Sequence, residues 1–157
     1  MFFDAYGAGR LAQLADDNGY LLVTPRQPLM GVVLPLPALL NKLDVVAPID
    51  RDRIVVMGHS MGAGQAISQL DRSPGTAQAA VILGGGRAVA KPDAWKGMRT
   101  YAAGGDKDFG LGGVQAFAKS MKSAGITNEF EIFDNTEHLG IVQVAWDNIF
   151  RWLGQGK

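Results

Sequence analysis

The sequence predicts an α/β fold, a three-layer sandwich around a mainly parallel sheet of about five strands. Three observations carry that expectation. Apolar runs of strand length recur at residues 20–24, 54–57, 79–83, 99–103 and 129–133. Segments with helical periodicity separate most of them, the strand–helix alternation that builds a parallel sheet. Several of the runs are also continuously apolar, as strands covered on both faces must be. The 157 residues carry no repeats, low-complexity tracts or internal linkers, so 1–157 reads as a single domain. A chain of this length can bury roughly 68–70% of its unfolded surface.

In chain order, a helix is expected from about Gly9, with Leu11, Leu14 and Ala15 on one face and Gly19 as its stop. Residues 20–24 then run apolar up to Pro25 and read as a strand buried on both faces. Residues 28–40 place Leu29, Met30, Val32, Val33, Leu34, Leu36, Leu39 and Leu40 among Pro28, Pro35 and Pro37. Three prolines argue against one regular helix or a central strand. The segment reads either as an apolar lid over a pocket or as a loop packed on the core or on another subunit. A short helix over about 38–46 leads into the strand at 54–57. The helix after that strand ends near Leu70, before a Ser73-Pro74-Gly75 turn.

Strand 79–83 ends in Gly84-Gly85-Gly86. This run lacks the helix start and the lysine of a phosphate loop, and it reads as a flexible loop at the mouth of a site. Strand 99–103 opens into the polar loop 104–110. A helix with Val114, Phe117, Ala118 and Met121 follows, stopping at Gly125. Residues 129–133 alternate as an edge strand should. Residues 134–138 form a polar loop, and 141–153 form a last helix with Ile141, Ala145, Ile149 and Trp152 repeating on it.

Composition excludes several classes. The chain is 47% hydrophobic and 19% charged, an ordinary globular balance. Fifteen basic and fifteen acidic residues cancel, leaving no global field toward nucleic acid or an anionic membrane. Without cysteine there is no disulfide, thiolate nucleophile or cysteine-based zinc site. Two histidines far apart in sequence make a poor zinc set, so no metal and no cofactor are expected. No 18-residue apolar run is present to span a membrane. The start of the chain lacks a basic segment followed by an apolar one, which argues against a signal peptide and favours the cytoplasm, with the compartment left open.

The chemistry concentrates at Gly58-His59-Ser60-Met61-Gly62. This G-x-S-x-G follows the β-branched strand Ile54-Val55-Val56-Met57 and precedes an apolar helix with Ala66, Ile67 and Leu70. A serine on such a strand-to-helix elbow has its hydroxyl pushed out of the sheet, while the glycines allow close approach of strand and helix. In a parallel sheet the loops after 54–57, 99–103 and 129–133 all leave the strands' C-terminal ends and open onto one edge. That convergence brings a serine, a carboxylate and an imidazole together. A serine hydroxyl needs an imidazole to accept its proton during attack, and the imidazole needs a carboxylate to fix its tautomer. His59, next to the serine in a tight turn, cannot reach back to the hydroxyl, so His138 is the expected base. Asp108, three residues past Gly105, is the preferred acid, with Asp106 at the strand's end as the open alternative. Asp134 and Glu137 read as solvated loop residues. The backbone N–H of Met61, at the helix start, is the expected oxyanion donor.

On these motifs the chain resembles an α/β-hydrolase of the esterase branch, near the dienelactone-hydrolase and polyhydroxybutyrate-depolymerase or feruloyl-esterase-like proteins. The resemblance runs over residues 11–25, the elbow at 58–62, the G-x-x-D of 105–108 and Glu137-His138. It implies a serine ester hydrolase, acting through an acyl-enzyme, with Ser60, Asp108 and His138 as the triad. A small ester is the expected partner, with Met30, Leu34 and Phe109 against its acyl or aromatic group.

Two departures stand out, one of them a segment between Pro25 and Ile54 that is shorter than usual. The fold usually has about eight strands and begins with a hairpin and a strand ending in a His-Gly-rich oxyanion loop. Met1-Phe2-Phe3 falls just after that loop, so the first strands and the second oxyanion donor are expected to be missing, with backbone N–H groups near residues 27–31 as substitutes. The edge left around 20–24 would be covered by residues 28–40 or by another copy of the chain, making a homo-oligomer. An open cleft there would extend the activity to polyesters. The alternative is a catalytically impaired fragment that keeps the elbow as structure and serves as a structural or assembly module.

Overall fold

The computed structural model describes residues 7, 9–25 and 34–155. Helix α1 spans Arg10–Asp17 and buries Leu11, Leu14 and Ala15 on one stripe. It stops where Gly19 takes the left-handed conformation, at φ 67°. Helix α2 spans Leu36–Leu43, starting two residues earlier than the sequence suggested. Pro37 falls in its first turn, where a missing N–H costs no hydrogen bond. Strand β1 (Val55–His59) runs into helix α3 (Met61–Arg72), then β2 (Ala79–Leu83) and β3 (Arg99–Gly105). Helix α4 (Leu111–Ser123) and strand β4 (Asn128–Phe133) follow, and helices α5 (Ile141–Val144) and α6 (Trp146–Gly154) close the described chain.

The four strands lie in the order β1-β2-β3-β4, all parallel. Alternate residues face opposite layers. Ala80, Ile82 and Ala102 pack with Leu36 and Leu40 of α2, Ile67 and Leu70 of α3, and Val114 and Phe117 of α4. Ala79, Val81, Leu83, Tyr101 and Ala103 pack with Leu11 and Leu14 of α1 and with Trp146, Ile149 and Phe150 of α6. This is the expected three-layer arrangement with a parallel sheet. All five residues of β2 are buried, whereas β4 has no buried residue, exposes Phe130 and Ile132, and forms one edge of the described sheet. Each fully buried large side chain contributes about 1.5–3 kcal/mol. Trp95 also satisfies its polar edge, its Nε1–H donating to Asp71 Oδ1 at 2.8 Å.

Three details differ from the sequence reading. The sheet has four strands among the described residues, not five. Residues 20–24 join no ladder, and Leu21 and Leu22 stand 60% and 39% exposed. Apolar character does not make a strand unless a neighbouring strand accepts its backbone hydrogen bonds; among the described residues none does, and the Tyr20 N–H goes to the Ala15 carbonyl of the helix end at 2.8 Å. The last helix is divided at Ala145 into α5 and α6. Within residues 28–40, Leu36 and Leu40 belong to the core beneath α2, while 28–33 lie outside the described residues.

Candidate active site

Strand β1 delivers the chain into α3 through Ser60, at φ 57° and ψ −121°. Only Asn135 among the other described non-glycine residues has a positive φ. A left-handed residue at the junction turns the chain sharply enough to start a helix against the strand it leaves. Gly58 is obligatory here, because a Cβ on it would lie 2.2 Å from the carbonyl oxygen of Gly62. Gly62 itself faces open space, so the two motif glycines are not equivalent. The Ser60 N–H donates to the Leu83 carbonyl at 2.9 Å, tying the elbow to the end of β2.

Two further loops meet Ser60 at this sheet edge. His138, in the loop after β4, lies with Nε2 at 2.8 Å from Ser60 Oγ and Nδ1 at 2.7 Å from Asp108 Oδ1. The hydrogen-bond chain assigns the tautomer: Nδ1–H donates to the carboxylate and Nε2 accepts from the hydroxyl. Asp108 is 5% exposed, and its Oδ1 also accepts from the Gly110 N–H at 2.6 Å. Its Oδ2 is buried with no donor among the described residues.

Asp106 faces elsewhere. Its Oδ1 accepts from the Thr136 N–H at 3.0 Å, clasping the His138 loop to the end of β3. Hydrogen bonds from the Asn135 and Thr136 N–H groups hold its carboxyl below the usual carboxylate value. The two loops touch so closely at Gly105 that a Cβ there would lie 1.8 Å from the Thr136 carbonyl oxygen. Lys107 adds a side-chain hydrogen bond to Asn135.

Beneath the three side chains lies a layer whose structural role the sequence reading missed. His59 is buried, its Nε2–H donating to the His138 carbonyl at 2.9 Å and its ring centroid 4.7 Å from that of His138. Burial lowers its pKa, opposed by the hydrogen bond to the His138 carbonyl. The triple glycine, read as a flexible mouth, is a tight floor. A Cβ on Gly84 would lie 2.8 Å from His59 Nε2 and 2.9 Å from Asp108 Oδ2, and one on Gly85 would lie 2.9 Å from the Ser60 carbonyl oxygen. A glycine run after a strand was the available signal, and it marked close approach rather than freedom.

The other anticipated residues fall as follows. Met61 opens α3, whose first N–H groups have no intrahelical acceptor, and its side chain is 63% exposed. Phe109 is 84% exposed and lies against the His138 imidazole, with ring centroids 3.9 Å apart. Leu34 does not join this group. Its carbonyl accepts from Gln69 Nε2 at 2.8 Å, about 13 Å along α3 from Ser60 at the usual helical rise. Met30 and the candidate donors at 27–31 lie outside the described residues. Among the described residues no cluster of three or more histidine or carboxylate side chains is placed to hold a metal ion. No helix there is long and apolar enough to cross a membrane.

No family model and no curated protein sequence matches this chain. Solved structures do. One is an uncharacterised protein from Bacillus cereus, at TM-score 0.70 and 14% identity, covering 96% of this chain and 55% of that one. Another is a thermostable esterase, at TM-score 0.67 and 20% identity, covering 85% of this chain and 40% of that one. A third is an S-formylglutathione hydrolase from Agrobacterium tumefaciens, at TM-score 0.67 and 15% identity, covering 94% and 76%. The fold is that of the α/β-hydrolases. At these identities the likeness establishes the α/β-hydrolase fold alone, and this chain spans only about half the length of the first two.

Proposed function

We propose that this chain hydrolyses carboxylic esters through an acyl-enzyme. Ser60 Oγ attacks the ester carbonyl carbon while its proton passes to His138 Nε2. The Met61 N–H donates to the oxygen that becomes negative. His138 then gives the proton to the leaving alkoxide as the acyl–oxygen bond breaks, and the alcohol departs. Water enters, loses a proton to His138, attacks the acyl carbon and restores the Ser60 hydroxyl. Asp108 holds the imidazole with Nδ1–H toward it and stabilises the transient cation. Ester bonds in polyesters are the same reaction class, within reach wherever a polymer segment can approach Ser60.

One observation carries this reading: an unbroken hydrogen-bond chain from Ser60 Oγ through His138 to a buried Asp108 carboxylate, at 2.8 and 2.7 Å. The neighbours named as an esterase and an S-formylglutathione hydrolase support the ester class. A fluorophosphonate probe tests it, since Ser60 Oγ should displace fluoride and become covalently labelled. Labelling of the wild type and not of Ser60→Ala, with turnover of p-nitrophenyl esters, is the expected result.

The second reading, a structural or assembly module, rests on the exposed Leu21 and Leu22 and on β1 having β2 as its only described partner. Folded protein that takes no label and self-associates at micromolar concentration would select it instead.

A further inference from the structure

The proposed reaction puts a geometric demand on the alcohol half of the ester, and the surroundings of His138 answer it. Acylation ends with His138 Nε2 handing its proton to the leaving oxygen. That oxygen must therefore stand within hydrogen-bond reach of the imidazole, and the group attached to it lies beside the same ring. Of the two rings beside it among the described residues, His59 is buried and Phe109 is exposed, the Phe109 centroid 3.9 Å away and tilted by 31°. One face of the phenyl ring meets the imidazole, yet the side chain as a whole is 84% exposed. Leu139, next to His138 in sequence, is also exposed. The alcohol side is thus flanked by a phenyl ring whose edge is exposed among the described residues. The Met61 N–H belongs to the carbonyl side instead, at the start of α3.

We infer that Phe109 is the specificity-determining residue of the alcohol subsite, and that the preferred substrates are esters of aromatic alcohols such as benzyl alcohol. This rests on the acyl-enzyme reading above. A ring on the leaving group meets the exposed edge of Phe109 and gains the attraction of an edge-to-face aromatic pair. By microscopic reversibility, the same site receives any alcohol that intercepts the acyl-enzyme. An alcohol oxygen gives its proton to His138 Nε2 and attacks the acyl carbon. Ser60 Oγ leaves and recovers the proton, so the products are a new ester and free enzyme.

That symmetry supplies a test insensitive to damage at the triad. The enzyme is acetylated with p-nitrophenyl acetate in an equimolar mixture of benzyl alcohol and 2-methoxyethanol, and the ratio of the two product esters is measured. Both products come from one acyl-enzyme and use one base, so a displaced His138 lowers both and cancels from the ratio. The wild-type ratio is expected to favour the benzyl ester about fivefold over the ratio given by Phe109→Ser, the effect of one aromatic contact. Phe109→Tyr should keep the wild-type ratio. An unchanged ratio in Phe109→Ser, with p-nitrophenol released and ester formed, overturns the alcohol-subsite assignment while leaving the esterase reading intact. Wild-type protein that releases no p-nitrophenol and takes no fluorophosphonate label overturns both.

Discussion

Replacing Ser60 by glycine and, separately, by alanine isolates the backbone strain at the elbow from its chemistry. Both variants lose the hydroxyl and its 2.8 Å hydrogen bond to His138, so that loss cancels between them. What remains is the backbone, fixed at φ 57° and ψ −121°. A Cβ in such a region costs about 1–3 kcal/mol, which glycine escapes. Glycine in turn loses about 0.4–1 kcal/mol through the greater freedom of its unfolded chain. The difference leaves Ser60→Gly more stable than Ser60→Ala by about 1 kcal/mol. For a chain of this size that is a Tm about 2–4 °C higher. Urea unfolding of the two proteins, compared at equal m-value, reads the difference directly. At an ordinary position the sign is opposite, alanine being the better residue by about 0.5–1 kcal/mol. A glycine variant less stable than the alanine variant would therefore refute the claim that the elbow stores strain.

Three further outcomes follow from the layer around the imidazole. Asp108→Asn should lower kcat roughly 10⁴-fold by disturbing the tautomer of His138, whereas Asp106→Asn should keep fluorophosphonate labelling, which separates the two carboxylates. The Asp106 carboxyl sits below its ordinary 3.8 in the folded state. Its contribution is therefore full above that value and lost as pH falls through the lower folded one, so the stability gap between wild type and Asp106→Asn should close on acidification in a series of urea midpoints. His59 shows the converse case. Its folded pKa is pushed below 6.5 by burial, so on acidification the unfolded chain takes up a proton before the folded one does. Stability should fall as pH drops through 6.5 toward the folded value. His59→Gln, measured in the same way, should flatten that slope.

Much of the site was legible because its signals are local. The elbow shows itself in five residues flanked by an apolar strand and an apolar helix, and strand–helix alternation alone dictates that the three loops share an edge. Spacing favoured Asp108 over Asp106 as the acid; Asp108 Oδ1 lies 2.7 Å from His138 Nδ1, whereas Asp106 Oδ1 accepts from the Thr136 N–H. What escaped the sequence depends on contacts distant along the chain. Residues 20–24 have a strand's composition, but a ladder belongs to two segments, and nothing in five residues states whether the second is present. The break at Ala145 has no proline or glycine to announce it. Gly84 and Gly85 were ambiguous because glycine serves both mobility and close packing, and only the positions of His59, Asp108 and Ser60 decide which.

The sequential strand order has a consequence for how this molecule fails. Each proposed reacting group hangs from the far end of its own strand, and His138 hangs from β4, an edge whose Phe130 and Ile132 are already open to solvent. Fraying of that border would carry the imidazole away while β1, β2 and β3 stayed paired. Turnover should then vanish at a lower temperature than the bulk of the secondary structure, with heated samples dead yet still largely folded.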